Sequence, residues 1–305
     1  MISFRYHLVS IVAVFLALAL GIVVGTTALN GPITKDLRRQ VNDAKKQRDD
    51  LASQVKQLQN QMDDAGQFAQ TFGSQLVAGS LTNQSVLEIV LPGAASDMQD
   101  GIDREIRAAG GKISGRVTVT QAYLDPSRGS GIVSVVTGQA RPIGWTAPET
   151  SDPAKLGGAL LSYVLLGHGQ ATDVTQVLGA FSELHMIDLG GQDVTPAKTV
   201  VVIGHGKLSG KDYGAQAELA LVGALASAGG HVVVAGDAGS ASGGGVVAQV
   251  RSSKTERAAV TTVDDADNAF GQVSAVLALG AATKGQVGHY GTQNGADALY
   301  PSPAK

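Results

Sequence analysis

If this chain performs chemistry, the residues suited to it lie in a few Gly- and Asp-rich turns. These are Pro92-Gly93, Gly204-His205-Gly206-Lys207, Gly236-Asp237-Ala238-Gly239 and Asp264-Asp265. Each follows a short apolar run, where a strand would hand over to a helix. Gly-rich turns expose backbone N–H groups able to cradle an anion, and Lys207 would add a positive charge. The candidate ligand-binding residues are therefore Gly204, His205, Gly206, Lys207, Gly236, Asp237, Asp264 and Asp265. None of the turns matches G-x-G-x-x-G or G-x-x-x-x-G-K-[ST], so a nucleotide fingerprint is missing. Ordinary tight turns of a Gly-rich domain are the commoner account of such residues.

Metal and nucleophile chemistry find less support. Asp237, Asp264 and Asp265 could form a carboxylate cluster for a hard cation. Capping the next helix is the commoner task, and Asp264 or Asp265 sits where an N-cap belongs. His168, His185, His205, His231 and His289 show no short ligand spacing, and Met1, Met62, Met98 and Met186 are scattered. With no Cys in the chain, disulfides, thiolate sites and Cys nucleophiles are excluded. No Ser stands in G-x-S-x-G context. Catalytic residues are not visible, a resident metal is not assigned, and no cofactor is implied by these residues.

The elements that must hold those turns are legible from apolar spacing. Ser85 to Leu91 reads as a strand, Asp97 to Ala109 as a helix capped by Ser96, and Ile113 to Thr120 as a second strand. Tyr123 to Pro153 reads as loop. Ala154 to Leu166 and Val174 to Leu184 read as helices. Strands at Thr199 to Ile203, His231 to Ala235 and Ala258 to Val263 alternate with helices at Asp212 to Ala228 and Ala266 to Leu279. Continuous rather than alternating apolar strands between helices imply a parallel sheet covered on both faces. The expectation is a Rossmann-like parallel α/β domain over 81–282, followed by a Gly- and Pro-rich tail over 283–305, either draped or disordered. A net charge of −3 supplies no basic field for nucleic acid.

Ahead of that domain lies a different kind of chain. After a short end at 1–7, residues 8–29 contain no charge and would span about 30 Å as a helix, the thickness of a bilayer core. That length favours an uncleaved transmembrane anchor over a signal peptide, whose apolar region is usually ~7–15 residues. The basic residues Lys35, Arg38, Arg39, Lys45, Lys46 and Arg48 follow the span, which by charge count leaves that side cytoplasmic, although long domains translocate largely regardless. From about residue 33 to 78 an alternating 4,3 apolar spacing persists. Its seam is Leu37, Val41, Ala44, Arg48, Leu51, Val55, Leu58 and Met62, continued by Ala65, Ala69, Phe72 and Leu76. Val at a with Leu at d favours a parallel homodimer, and Arg48 is a polar a residue of the kind that fixes register. Gly66 and Gly73 predict a frayed distal end.

The opening Met1-Ile-Ser-Phe-Arg-Tyr-His-Leu-Val-Ser-Ile-Val-Ala-Val-Phe-Leu-Ala-Leu-Ala-Leu-Gly-Ile-Val-Val-Gly25, together with the heptads, Val260-Thr-Thr-Val-Asp-Asp265 and Gly288-His-Tyr-Gly291, resembles the mycobacterial copper transport protein B (MctB) family, which includes the cell-separation protein SteB. The resemblance implies an actinobacterial cell-envelope protein, with its coiled coil and globular domain outside the cytoplasmic membrane, against the local charge count. An outer-membrane location is the alternative. Two functions are implied: copper efflux and copper resistance, or control of daughter-cell separation with the membrane protein SteA and a peptidoglycan hydrolase. Copper is suggested by the resemblance alone. Repeated segments of a β-barrel are not evident, so the expectation is a membrane-anchored dimeric scaffold, with an α/β ligand-binding or enzymatic domain as a further alternative.

Overall fold

The structure is a computed structural model and describes residues 4–206 and 213–302. The chain divides into two compact units, residues 1–64 and 65–305. Helix α1 (Phe4–Val77) supplies the first and opens the second.

In the first unit, Phe4–Thr26 forms a stretch long and apolar enough to cross a membrane. Further along, the seam residues Leu37, Val41, Leu51, Val55 and Leu58 are 48–60% exposed, and among the described residues none covers them. Ala44 and Arg48 are exposed as well, and Arg48 pairs with its neighbour Asp49 at 2.7 Å. An ion pair so open to water adds little stability. The side chain of Met62 lies outside the described residues.

The second unit follows the last turns of α1 with β1 (Ser85–Val90), α2 (Ser96–Ala108), β2 (Lys112–Val119), α3 (Gln121–Leu124), a 3-10 turn (Pro126–Arg128) and α4 (Gly129–Thr137). Next come α5 (Pro153–Leu165), α6 (Ala171–Glu183), β3 (Ile187–Asp188), β4 (Thr199–Ile203), α7 (Tyr213–Ser227) and β5 (His231–Ala235). A second 3-10 turn (Ala238–Ala241), α8 (Val246–Ser252), α9 (Lys254–Ala259), β6 (Thr261–Val263), α10 (Ala269–Ala282) and β7 (His289–Tyr290) complete it.

The strands form one sheet in the order β3-β2-β1-β4-β5-β6-β7. Every neighbouring pair is parallel except β2 with β3. The apolar runs explain why. Alternate residues of a strand point to opposite faces, so Leu87, Ile89, Val200, Val202, Val232 and Val234 join one core cluster. Val86, Val90, Val201, Ile203 and Val233 join the other, with α2 and α10. A strand buried on both faces has no reason to alternate apolar with polar.

Several expectations need correction. Residues 123–153 are not all loop, because α4 lies among them; its Ser and Gly residues hide a face on which Ile132, Val135 and Val136 are buried. Helix α10 starts at Ala269, capped by Asn268, whose side-chain oxygen accepts from Gly271 N at 3.1 Å. Asp264 and Asp265 therefore do not cap it. The distal end of α1 does not fray at Gly73. That glycine lies against α10, where an added Cβ would come 2.6 Å from Val273 Cγ2. Residues 283–302 drape over the domain: β7 pairs with β6, Tyr290 bridges to Ala298, and Arg257 pairs with Asp297 at 2.7 Å.

Candidate functional site

At the carboxyl end of β4 the chain turns through Gly204, His205 and Gly206. The neighbouring strand β5 ends in Gly236 and Asp237. These two ends touch. A Cβ on Gly206 would lie 3.2 Å from Gly239 Cα, a tight approach that favours glycine at both positions. Asp237 accepts from Ser240 N at 2.8 Å through Oδ1, capping the 3-10 turn. Its Oδ2 meets His205 Nδ1 at 3.3 Å, and the His205 side chain is 42% exposed. A carboxylate on one imidazole nitrogen orients the ring and leaves the other nitrogen for an outside group. Lys207 lies outside the described residues.

The end of β6 has a different character. Asp264 is fully buried and pairs with the buried Arg251 at 2.6 Å. It also accepts from Thr292 N at 2.8 Å and Gln293 N at 3.2 Å. Arg251 donates further to Thr262 Oγ1 and to the Tyr290 carbonyl. Thr262 Oγ1 lies 2.9 Å from His289 Nδ1, and burial depresses the pKa of that histidine. Every oxygen of Asp264 is thus engaged in holding the tail, which makes it a structural residue. Next to it Asp265 is buried, with its pKa raised to about 7 by burial and by the Asp264 charge, and its Oδ1 has no hydrogen-bond partner. Burial also raises the pKa of Asp267, with Asp237 contributing.

The structure therefore brings His205, Gly206, Asp237 and Gly239 together and sets Asp264 apart. Among the described residues no three His, Asp or Glu side chains are placed to hold a metal ion.

A second polar centre escaped the reading of strands as apolar runs. Glu88, in the middle of β1, is fully buried and stands in register with Arg116 on β2. Arg116 donates to Glu88 Oε2 at 2.9 Å and to Asp103 of α2 at 2.7 Å. With its amide oxygen turned toward the guanidinium, Gln99 accepts from Arg116 at 2.7 Å. Burial, and then Asp103, push the Glu88 carboxyl up to about 8. Arg116 and Gln99 line a cavity of about 230 Å³ with Thr118, Asp188, Leu189, Gly190 and Gln192. The signal for this centre was a single Glu and a single Arg in the interior of strands whose other interior residues are apolar or neutral. Unpaired charges at such positions are too costly to leave unmatched.

The family described as "Copper transport outer membrane protein, MctB" matches residues 1–301. The Copper transporter MctB of Mycobacterium tuberculosis is 33% identical over 308 residues, covering 97% of this chain and 98% of the relative. That of Mycobacterium bovis is 33% identical over the same length and coverage. The Mycobacterium leprae protein of that name is 29% identical over 313 residues, covering 98% and 99%.

Proposed function

The chain belongs to the MctB copper transport family, and from that premise we propose that it serves copper efflux and resistance as a membrane-anchored dimeric scaffold rather than as a pore. The observation that carries the reading is the exposed heptad stripe of α1, whose Leu and Val side chains stand 48–60% in solvent. A helix with such a stripe gains by burying it in a parallel coiled coil. Each fully buried Leu or Val contributes about 1.5–3 kcal/mol. Two seams of five such residues, each already about half covered by its own helix, contribute roughly 7–15 kcal/mol, which offsets an association cost of ~4–15 kcal/mol.

The same features weigh against a pore. The chain's one candidate span among the described residues, Phe4–Thr26, cannot enclose a channel by itself. The seven strands form an open sheet whose faces are filled by the protein's own helices, leaving no lipid-facing wall. In this reading Phe4–Thr26 anchors the chain in the cytoplasmic membrane and the α/β domain lies in the envelope outside it. That domain is Rossmann-like, with its strand order reversing at β1 and β4.

Purified protein in liposomes tests the proposal. The scaffold reading expects no metal-selective flux above that of empty vesicles. Copper-selective flux would overturn it.

The His205–Asp237 contact beside that reversal point supports a second reading, a ligand-binding α/β domain. It expects ligand-dependent thermal stabilisation that disappears in Lys207→Ala or Asp237→Ala.

A further inference from the structure

Charge on α1 stops at Asp64. The thirty residues from Lys35 to Asp64 are studded with Lys, Arg and Asp, whereas Ala65 to Val77 contains none. Two stripes run side by side along this uncharged segment. Gly66, Ala69, Gly73 and Val77, spaced 3,4,4, form the side on which Ala69, Gly73 and Val77 are buried in the α/β domain. Ala65, Phe68, Phe72 and Leu76 carry the same spacing one residue earlier and remain in solvent. Phe68, Phe72 and Leu76 are 60%, 42% and 57% exposed. The Phe68 and Phe72 rings lie 4.9 Å apart, forming one continuous apolar ridge.

The heptad register cannot continue unchanged through this segment. Strict continuation would place Ala69 in an intermolecular seam, yet Ala69 is 3% exposed because its own domain already covers it. A 3,4,4 step, eleven residues in three turns or about 3.67 per turn, relaxes the left-handed supercoil that a heptad imposes. We propose that a second copy of this chain docks in parallel on the Ala65–Phe68–Phe72–Leu76 stripe, the seam changing there from heptad to eleven-residue spacing. The proposal rests on the dimer reading above and adds where the seam runs beside the globular domains.

A second copy is the occupant that fits. The residues beside the stripe, Thr71 and Gln75, are neutral, so two identical stripes meet without like-charge repulsion. They also offer no charge by which a different partner would be chosen. A pair related by a two-fold axis presents the same patch on both sides, as a self-complementary apolar ridge does. The stripe also continues, along the same helix, the apolar spacing of Leu51, Val55 and Leu58.

Because the chain has no Cys, single-cysteine variants give an unambiguous test. Leu58→Cys, Phe68→Cys, Phe72→Cys and Leu76→Cys are made in the full-length protein in membranes and treated with a short bis-maleimide. Ser74→Cys, exposed on the opposite side of the helix, serves as control. The expected result is a covalent dimer at all four positions, at least ~10-fold above the control. Efficient cross-linking at Leu58 with none above control at 68, 72 and 76 would keep the dimer and overturn the stripe. Cross-linking at 72 and 76 without 68 would mean an unbroken heptad and overturn the change of spacing. No cross-linking at any position would remove the dimer reading itself. A Phe68→Ser/Phe72→Ser variant, altered only at solvent-exposed positions, should keep the wild-type melting temperature of the α/β domain while its dimer dissociation constant rises at least ~10-fold; an unchanged constant would overturn the stripe.

Discussion

Replacing each of two glycines in one helix by alanine should move stability in opposite directions. Alanine exceeds glycine in helix propensity by about 1 kcal/mol. At Gly66 an added Cβ meets nothing within 4 Å, so Gly66→Ala should collect that gain. At Gly73 the Cβ would fall 2.6 Å from Val273 Cγ2 and 3.6 Å from Glu105 Oε2. Val273 is 5% exposed in the core beneath the helix. Overpacking of this kind costs about 1–3 kcal/mol, so Gly73→Ala should lose about 1 kcal/mol net. In a domain of this size about 1 kcal/mol moves Tm by ~2–4 °C. Thermal melts of the two variants, with amide exchange over residues 65–77, are the assay. Gly73→Ala should raise exchange there, and adding Val273→Ala should recover part of the loss through non-additive coupling. If Gly73→Ala stabilises as much as Gly66→Ala, the end of α1 is not held against α10.

Other consequences are equally concrete. Arg251→Met strands the buried Asp264 and should cost about 3–5 kcal/mol, read by chemical denaturation; limited proteolysis should then cut the tail at 286–302, and an intact tail would refute its anchoring role. Glu88 titrates at about 8 in the folded protein against an ordinary 4.5, and Glu218 and Asp265 at about 7, so folding takes up protons. Their contribution is complete below about pH 4 and is lost as pH rises through 7 to 8; Glu88→Gln should flatten the fall of Tm over that range, and an unchanged slope would sink the assignment. Asp237→Ala removes the cap of a 3-10 turn and should cost about 0.5–2 kcal/mol, whereas His205→Ala, at an exposed position, should leave Tm within ~1 °C. Leu51→Asp with Leu58→Asp should abolish the proposed dimer in sedimentation; a dimer surviving that change would refute the seam.

Apolar spacing revealed the strands at Thr199–Ile203 and His231–Ala235, because a buried parallel strand leaves a continuous run of β-branched residues. It also found the turns of the His205–Asp237 contact, because both follow such runs. It missed α4, α8 and α9, short helices whose Gly, Ser and Lys content looks like loop when contacts are unknown. The role of Arg251 was equally hidden, since its partners arrive from β6 and from the tail. A pair such as Glu88 and Arg116 becomes legible only once strand register sets one opposite the other. Glycines carry no directional signal either. Gly73 reads as a helix breaker until Val273 stands beside it.

The interior place of β1 in the sheet constrains how the protein is made. It is the first strand to be synthesised, yet its neighbour β4 comes from residues 199–203, and the carboxylate that locks the sheet edge waits for Thr292 and Gln293. At ~5–20 residues per second, roughly 10–40 s separate the appearance of β1 from that of the tail. The N-terminal apolar segment is therefore complete while the domain behind it is still an open chain, with its first strand unpaired. In the envelope reading proposed above, such a polypeptide crosses the membrane threaded rather than folded, and closes only when its last residues have crossed.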